Sequence, residues 1–465
     1  MAEGKAGRGE AAPGDHLQTG YQLWLVGHQL ERGRAPWRDP YSFQPEAKPR
    51  WNLAGWPFGL PYWPLERAFG IVLGWNLFVL LGFLGAGGFT ALWLRELGLR
   101  REAAVVGGLA FALAPYLQAQ WSAGHLLAWI AMLMPLALYA LERARRRSTW
   151  WLAVAGAALA SIPLSGQLHF ALAAIPFFGV YALVRARWAV WLVAPAVAAG
   201  LVAYTAGVRG TTGASGRSFA QVERYSAGAS DFVSRNTDEL ERVVYLGWSV
   251  LLLSLAGLAL LVAQRRWRLA GVLGLGALVP ILFALGANLP GYETLWRHLP
   301  GLRHTRVPER LLPVACLALA ALVAVGVNRV RWPGTALLVA AVLLVDLRLG
   351  LFRPTAADEH NRAYAALRSA PPGRMLELPV HLPDRQEASV YLYYVLQAPR
   401  KHPSGYSTTA PVAADMQLRE LGHSPCRRLA ALGIRYLVTH RNAKNPCGGR
   451  LLARDGPVAS YALGG

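Results

Sequence analysis

The sequence predicts a polytopic α-helical membrane protein that crosses the bilayer about ten times and ends in a small α/β domain. Of its 465 residues, 54% are hydrophobic and 16% are charged, whereas soluble proteins usually contain about 25% charged residues. The apolar residues form repeated runs long enough to cross roughly 30 Å of hydrocarbon. Arginines fill alternate gaps between these runs, as expected of a membrane topology.

Ten apolar runs between residues 68 and 350 are the predicted membrane helices. Gly and Pro interrupt many of them, which membrane helices tolerate because neighbouring groups satisfy the freed carbonyls. The runs separate a first outer loop, 1–67, from a C-terminal α/β domain, 351–465. The predicted helices are 68–94, 102–119, 122–142, 149–165, 167–184, 188–207, 243–263, 269–287, 309–328 and 333–350.

Arginines distinguish the two sides of the membrane. They fill every second gap between the runs, and gaps rich in Lys and Arg face the cytoplasm. The net charge of +21 therefore reflects topology, and no nucleic-acid partner is expected. Both chain ends then lie outside the cytoplasmic membrane, with membrane lipid as a partner. The arginines concerned are Arg95, Arg100, Arg101, Arg143, Arg145, Arg146, Arg147, Arg185, Arg187, Arg265, Arg266, Arg268, Arg329 and Arg331.

The first 67 residues lack a segment that would carry them across the membrane. Only 23–26 is locally apolar, and this stretch is too short for a signal-peptide core or a spanning helix. We therefore hypothesise that a first transmembrane helix precedes the residue numbered 1 and was lost through truncation or a misplaced start codon.

Residues 351–465 have the mixed periodicity of a small α/β domain. Two cysteines in this domain, Cys426 and Cys447, are candidates for a disulfide in an oxidising compartment, with two free thiols as the alternative. Cys316 lies in a predicted membrane helix and is interpreted as a small hydrophobic residue. Strands are predicted at 374–379, 389–396, 434–440 and 458–463, and a helix at 416–432.

An ordered series of short motifs runs from residue 14 to the end of the chain. Gly14–Asp15 is followed by Gly33, Pro36 and Pro40. The helix pair after it contains Pro115, Gly124–His125, Trp129 and Pro135–Leu136. Later segments are RSFAQVERYSAGASDFVSRN, ERVVYLGWSVLLL and PGLRHTRVPERLLPVACLALAALVAVG, and the last are ELP, GYS, LAALGIRYLVTH and GPVASYAL.

Taken in this order, the motifs resemble the GT-C class of integral membrane glycosyltransferases, particularly its YfhO-like prokaryotic branch. The resemblance implies transfer of a hexosyl or pentosyl group from a polyprenyl-phosphate-linked donor to a glycan, lipid or protein acceptor at the outer face of the cytoplasmic membrane. A lipid-linked glycan transporter or flippase is an alternative, although the two halves show no convincing inverted repeat. A non-catalytic cell-envelope scaffold is a third interpretation.

Asp15 is the predicted catalytic residue. Glycosyl transfer with inversion requires a general base for the acceptor, or a carboxylate that holds a divalent metal against the donor phosphate. Asp15 suits either role, so a divalent metal is an open cofactor prediction. Family members often carry a second acidic residue nearby, whereas this chain has His16, which weakens the metal interpretation. Capping of the amphipathic stretch 16–30 is the alternative without catalysis.

Polar residues at the outer ends of predicted helices are the candidate substrate contacts. His125, Gln167 and His169 lie at outer turns, where they can hydrogen bond to a substrate or simply to a neighbouring helix. Glu241 and Tyr245 are four residues apart at the start of a helix and share a face. The helix dipole alone is enough to stabilise a carboxylate there, which is the alternative for Glu241.

Three arginines are the predicted phosphate contacts. A donor phosphate favours guanidinium groups near the outer membrane face, and Arg303, Arg306 and Arg310 meet that need by position. Arg306 and Arg310 share a face if the following helix begins early. A solvated loop cluster or lipid headgroup anchoring is the alternative.

Overall fold

The chain forms two compact units. The structure, a computed structural model, describes residues 1–4, 9–45, 50–212, 216–236, 242–299, 301–332, 334–407 and 409–464. The first unit consists of Met1–Phe78, Thr205–Ser215 and Arg353–Gly465. The second consists of Val79–Tyr204 and Gly216–Phe352.

Helices dominate the described chain, and two of them deviate from regular geometry. Helical geometry is interrupted at Gly70 in α2 and at Ala186 in α8. The α-helices are α1 Asp15–Leu30, α2 Gly59–Glu96, α3 Arg101–Ala112, α4 Pro115–Ser122, α5 Leu127–Ala131, α6 Leu133–Arg146, α7 Trp151–Leu164, α8 Leu168–Val208, α9 Phe219–Arg224, α10 Trp248–Ala263, α11 Trp267–Ala284, α12 Tyr292–His298, α13 Leu312–Arg329, α14 Thr335–Leu347, α15 Arg362–Ser369, α16 Ala388–Tyr394 and α17 Val412–His423.

The apolar helices identify a multi-pass membrane protein. Five helical segments in the described chain are long and apolar enough to cross a membrane, and the bent pair α3–α4 makes a sixth. Three further apolar helices, α7, α10 and α14, are shorter. Each predicted run overlaps one helix or a few consecutive helices, and the runs 167–184 and 188–207 both lie within α8 or at its start. The count of ten crossings stays a prediction.

Helix α13 is the core of the second unit. It is buried along most of its length and packs against α3, α10 and α11. Small residues permit this close approach, because a Cβ atom on Gly257 of α10 would lie 1.9 Å from the Leu322 carbonyl oxygen. Similarly, a Cβ on Gly107 of α3 would lie 2.8 Å from the Cβ of Ala324. Glycine is therefore required where α10 crosses α13.

A buried carboxylate joins α6 and α8 in the second unit. Glu142 is fully buried, and Arg185 donates to its two oxygens at 2.6 and 2.9 Å. Arg145 forms a further ion pair with it, and the Tyr181 hydroxyl donates to it at 2.7 Å. Two guanidinium groups and a phenol thus compensate the charge that burial would otherwise penalise.

The first unit contains a four-stranded sheet in the order β5–β6–β8–β7. Strand β5 pairs with β6 in parallel, and the other neighbours are antiparallel. Among the described residues, this unit also contains two small two-stranded sheets, β1–β4 and β2–β3. The strands are β1 Ala2–Glu3, β2 Arg38–Asp39, β3 Arg50–Trp51, β4 Ala356–Ala357, β5 Arg374–Leu378, β6 Ile434–Thr439, β7 Arg450–Asp455 and β8 Val458–Ala462.

The sequence predicted three of the four sheet strands, at 374–379, 434–440 and 458–463, and missed β7. The strand predicted at 389–396 is wrong, because these residues form α16, which packs on α1. Its aromatic residues have high strand propensity, but tertiary burial on all sides overrides that preference. The helix predicted at 416–432 ends at His423, since the proline at position 425 disfavours helical geometry at Ser424.

A disulfide joins Cys426 and Cys447, which are 21 residues apart in sequence. We expect substitution of both by Ser to lower the free energy of unfolding by about 3 kcal/mol, because the cross-link restricts the unfolded chain. Non-reducing peptide mapping should recover the joined peptides, and thermal unfolding in detergent measures the loss. Cys316→Ala is the control that keeps the cross-link. Recovery of both thiols unoxidised from an oxidising compartment contradicts the prediction.

Removing the buried carboxylate should leave Arg185 uncompensated. We expect Glu142→Ala to lower the free energy of unfolding by about 3–5 kcal/mol. The matched control is Glu293→Ala, which breaks an exposed pair with Arg297 and should cost less than about 1 kcal/mol. Thermal unfolding of the two purified variants makes the comparison. Equal melting temperatures would show that the buried pair contributes no more than the exposed one.

Candidate functional site

Asp15 is the first residue of α1 and is half-buried. The Tyr406 hydroxyl donates to its Oδ1 atom at 2.6 Å. Gly14 holds the capping position, and no side chain makes a capping hydrogen bond there. Asp15 is therefore not the N-cap of this helix, and its carboxylate is directed to Tyr406, 391 residues away in sequence.

His16 follows Asp15 and is buried. Burial lowers the pKa of His16 to about 4, and the nearby amino group of Met1 lowers it further, so the imidazole is neutral at pH 7. In the described part of the chain, no hydrogen bond reaches its Nε2 atom. Asp15 thus has a neutral imidazole beside it rather than a second carboxylate.

The described residues contain no group of three or more His, Cys, Asp or Glu that is suited to a metal ion. Magnesium sites commonly use one or two carboxylates and complete their coordination with water and substrate phosphate. Asp15 alone would fit only that kind of site. The divalent metal therefore stays a prediction that depends on bound substrate.

The second unit brings three arginines and a histidine together. We call Arg217, Arg306 and Arg310 the arginine cluster, and all three are half-buried. Each contributes an electrostatic interaction to His169, at the start of α8. The backbone N–H of Arg306 also donates to His169 Nε2 at 3.3 Å. Arg306 and Arg310, two of the predicted phosphate contacts, thus interact with His169, a predicted substrate contact.

The positive charges of the arginine cluster disfavour one another. Burial lowers the pKa of Arg217, and the positive charges of Arg306 and Arg310 lower it further, while Tyr204 acts in the opposite direction. A bound anion would relieve both effects because it stabilises the charged guanidinium groups. The cluster therefore has the electrostatic character of an anion site.

Aromatic and backbone contacts position the cluster. The Arg306 guanidinium lies 5.6 Å from the Tyr225 ring centroid, within cation–π range. The backbone N–H of Arg217 donates to the Arg303 carbonyl at 3.1 Å. Gly216, with a φ of +90°, precedes Arg217 and lies against Arg303. The Arg303 side chain is exposed. The backbone of Arg303 therefore connects its loop to the loop that carries Arg217.

An apolar cluster supports these loops. Val222 of α9, Tyr292 and Trp296 of α12, and Leu302 pack together, with Leu172 of α8 beside them. The indole N–H of Trp296 donates to the Thr305 carbonyl at 3.2 Å. Burial of these side chains holds the segment that carries Arg306 against the start of α8.

The other predicted contacts occupy separate networks. His125 lies in the turn after α4, where its Nδ1 atom is 2.8 Å from Gln120 Oε1. Gln167 precedes α8, and its buried Oε1 atom has no hydrogen bond within the described residues. The Tyr245 hydroxyl donates to Asp346 Oδ1 at 2.5 Å. Glu241 lies outside the described residues, so its pairing with Tyr245 stays a prediction.

Asp346 explains the position of Tyr245. Its Oδ2 atom accepts hydrogen bonds from the backbone and hydroxyl of Ser249 at 2.7 and 2.6 Å. Arg235 pairs with the same carboxylate at 3.0 Å. Asp346 therefore satisfies a donor at the N-terminus of α10, and Tyr245 belongs to this helix-end network.

Sequence reasoning missed Arg217, Tyr225 and Tyr406. Arg217 and Tyr225 lie within the segment RSFAQVERYSAG, and Tyr406 lies in GYS. The presence of these residues in the motif series indicated that their segments were of interest. The sequence did not show which segments contact one another in the fold. The contact between Asp15 and Tyr406 joins residues from opposite ends of the sequence and has no local pattern.

Comparison with known proteins identifies the fold. No family model and no curated protein matches the chain. The structure of the arabinofuranosyltransferase AftD from mycobacteria aligns with a TM-score of 0.58 and 14% sequence identity, covering 97% of this chain. This chain spans 41% of the length of that one. The chain has the GT-C fold.

Two structures of ArnT from Cupriavidus metallidurans also align with the GT-C fold of this chain. The apo structure gives a TM-score of 0.49 with 12% identity, and the structure bound to undecaprenyl phosphate gives 0.46 with 14% identity. Each alignment covers 97% of this chain and 94% of ArnT. The YfhO-like branch of the GT-C class stays a prediction.

The prediction that the arginine cluster contacts a lipid phosphate can be tested by substitution. We expect Arg306→Ala and Arg310→Ala each to weaken binding of a short-chain polyprenyl phosphate about tenfold, because each removes a charge-assisted contact. High salt should weaken binding to the wild type. Native mass spectrometry or thermophoresis of the full chain in detergent measures both effects. Arg297→Ala is the control, and unchanged affinity in both cluster variants contradicts the assignment.

Proposed function

We propose that this protein is a membrane glycosyltransferase that moves a sugar from a polyprenyl-phosphate-linked donor to an acceptor at the outer face of the cytoplasmic membrane. The fold supports this proposal at the level of class, because fold alone does not specify chemistry. Donor and acceptor identity belong to the proposal. The acceptor class is a glycan, a lipid or a protein.

The observation that carries the proposal is the meeting of Arg306 and Arg310 with Arg217 around His169. When a glycosyl phosphate breaks, negative charge increases on the departing phosphate. Guanidinium groups placed in advance stabilise that charge without reorganising, which lowers the transition-state energy more than the ground-state energy. A phosphate-linked donor therefore suits the cluster better than a neutral glycoside.

Asp15 is the proposed general base. An acceptor oxygen attacks the anomeric carbon while the bond from that carbon to the phosphate oxygen breaks. The electron pair leaves with the phosphate, and the acceptor proton moves to the Asp15 carboxylate. The configuration at the anomeric carbon inverts. If Asp15 acts as a metal ligand instead, the ion would help to neutralise the donor phosphate.

The transferred sugar is proposed to be a pentosyl or hexosyl group. The arabinofuranosyltransferase in the comparison makes a pentofuranosyl donor the first choice for testing. The disulfide between Cys426 and Cys447 supports an oxidising, extracytoplasmic location for residues 351–465. The arginine-bearing gaps support the same orientation.

Substitution of Asp15 by Asn tests the base assignment, because it retains the shape of the side chain and removes its charge. We expect Asp15→Asn to lower transfer at least about 100-fold. The assay uses the full chain in liposomes with synthetic polyprenyl-phospho-arabinofuranose or a polyprenyl-phospho-hexose, and measures release of polyprenyl phosphate. Asp384→Asn is the control, since Asp384 is exposed in the same unit. Wild-type transfer by Asp15→Asn contradicts the role of Asp15.

The same assay separates the remaining alternatives. Loss of activity with EDTA and recovery with Mg²⁺ supports the metal role, whereas full activity in EDTA supports the base role. Movement of a labelled lipid-linked glycan across the bilayer without change in its glycan identifies a flippase. Carbohydrate binding by the full chain with no transfer and no transbilayer movement identifies a scaffold.

A further inference from the structure

Tyr406 is attached to the first turn of α1 at two points. Its hydroxyl donates to Asp15 Oδ1 at 2.6 Å, and the Gln18 side chain donates to its backbone carbonyl at 2.5 Å. Asp15 and Gln18 are three residues apart, so they lie on the same face of the helix. The phenol and the backbone carbonyl of Tyr406 are thus both hydrogen-bonded to one face of α1.

The segment that carries Tyr406 is itself held on both sides. Before it, the hydroxyl of buried Ser404 donates to Glu377 of β5 at 2.9 Å. After it, the backbone N–H of Ser407 donates to the Pro383 carbonyl at 2.8 Å. These contacts lie within the first unit. The residues on either side of Tyr406 are therefore held by hydrogen bonds.

A phenol donor suits a catalytic carboxylate. A short hydrogen bond to one carboxylate oxygen fixes the plane of the group and favours its charged form. Gly14, and not Asp15, occupies the N-cap position of α1. The geometry thus orients Asp15 through Tyr406.

We propose that Tyr406 is a positioning residue that orients the Asp15 carboxylate for proton abstraction from the acceptor. This inference rests on the proposed function, because it assumes that Asp15 is the base. Tyr406 acts through Asp15 and does not itself exchange a proton in the reaction. The C-terminal part of the chain therefore supplies part of the catalytic arrangement.

The test is the pH profile of kcat/KM for Tyr406→Phe in the full chain, with polyprenyl-phospho-arabinofuranose or the polyprenyl-phospho-hexose that the wild type accepts. Loss of the phenol bond should move the acidic limb upward by about one to two pH units, because the bond favours the charged carboxylate. It should also lower kcat about tenfold. Titratable groups beside Asp15 include Tyr406 and His16, and the Met1 amino group acts on His16.

Two further variants make the test specific. Tyr436→Phe is the matched control, because Tyr436 is buried in β6 and its hydroxyl donates to the Pro371 carbonyl at 2.7 Å. It should leave the acidic limb unchanged, and thermal unfolding confirms that both variants are folded. The double variant Asp15→Asn/Tyr406→Phe should be no less active than Asp15→Asn alone, because the phenol acts only through the carboxylate.

The outcomes distinguish this inference from the function on which it rests. A shifted acidic limb in Tyr406→Phe, together with an inactive Asp15→Asn, supports both. An inactive Asp15→Asn with an unshifted Tyr406→Phe profile overturns the role of Tyr406 and leaves the base assignment intact. An active Asp15→Asn overturns both. An additional loss in the double variant shows that Tyr406 acts independently of Asp15, which also overturns the inference.

Discussion

The hydrocarbon interior of a membrane offers no hydrogen bonds, and this constraint determines how the chain places its polar groups. Backbone groups are satisfied within helices, and glycines such as Gly257 let those helices approach closely. The charge on Glu142 is tolerated because Arg185, Arg145 and Tyr181 surround it. Polar side chains with other roles are concentrated in loops and at helix ends.

Arginine has two different environments in the second unit. Near Glu142 and Glu96, guanidinium groups pair with carboxylates, and their charge is used for structure. In the arginine cluster, Arg217, Arg306 and Arg310 interact electrostatically with one another and with His169. Positive guanidinium groups that the fold holds close together attract anions. We therefore propose that arginine stabilises the fold near Glu142 and Glu96 and binds an anion in the arginine cluster.

Much of the fold was predictable because lipid selects for long apolar runs, which are visible without any alignment. The helix α16 was not, since its aromatic residues favour a strand locally and only packing on α1 decides the outcome. Arg306 and Arg310 were predictable from chemistry and position. Arg217 and Tyr406 were not, because each becomes relevant through a contact between distant segments that leaves no periodic signal.

The first unit is assembled from both ends of the described chain, and this has a consequence for biogenesis. Asp15 and Tyr406 are 391 residues apart. At translation rates of 5–20 residues per second, the helix bearing Asp15 waits roughly 20 to 80 seconds for its partner to be synthesised. During that interval the buried face of α1 is exposed to chaperones and proteases. Ribosome stalling late in the message would therefore leave the second unit complete and the first unit unfinished.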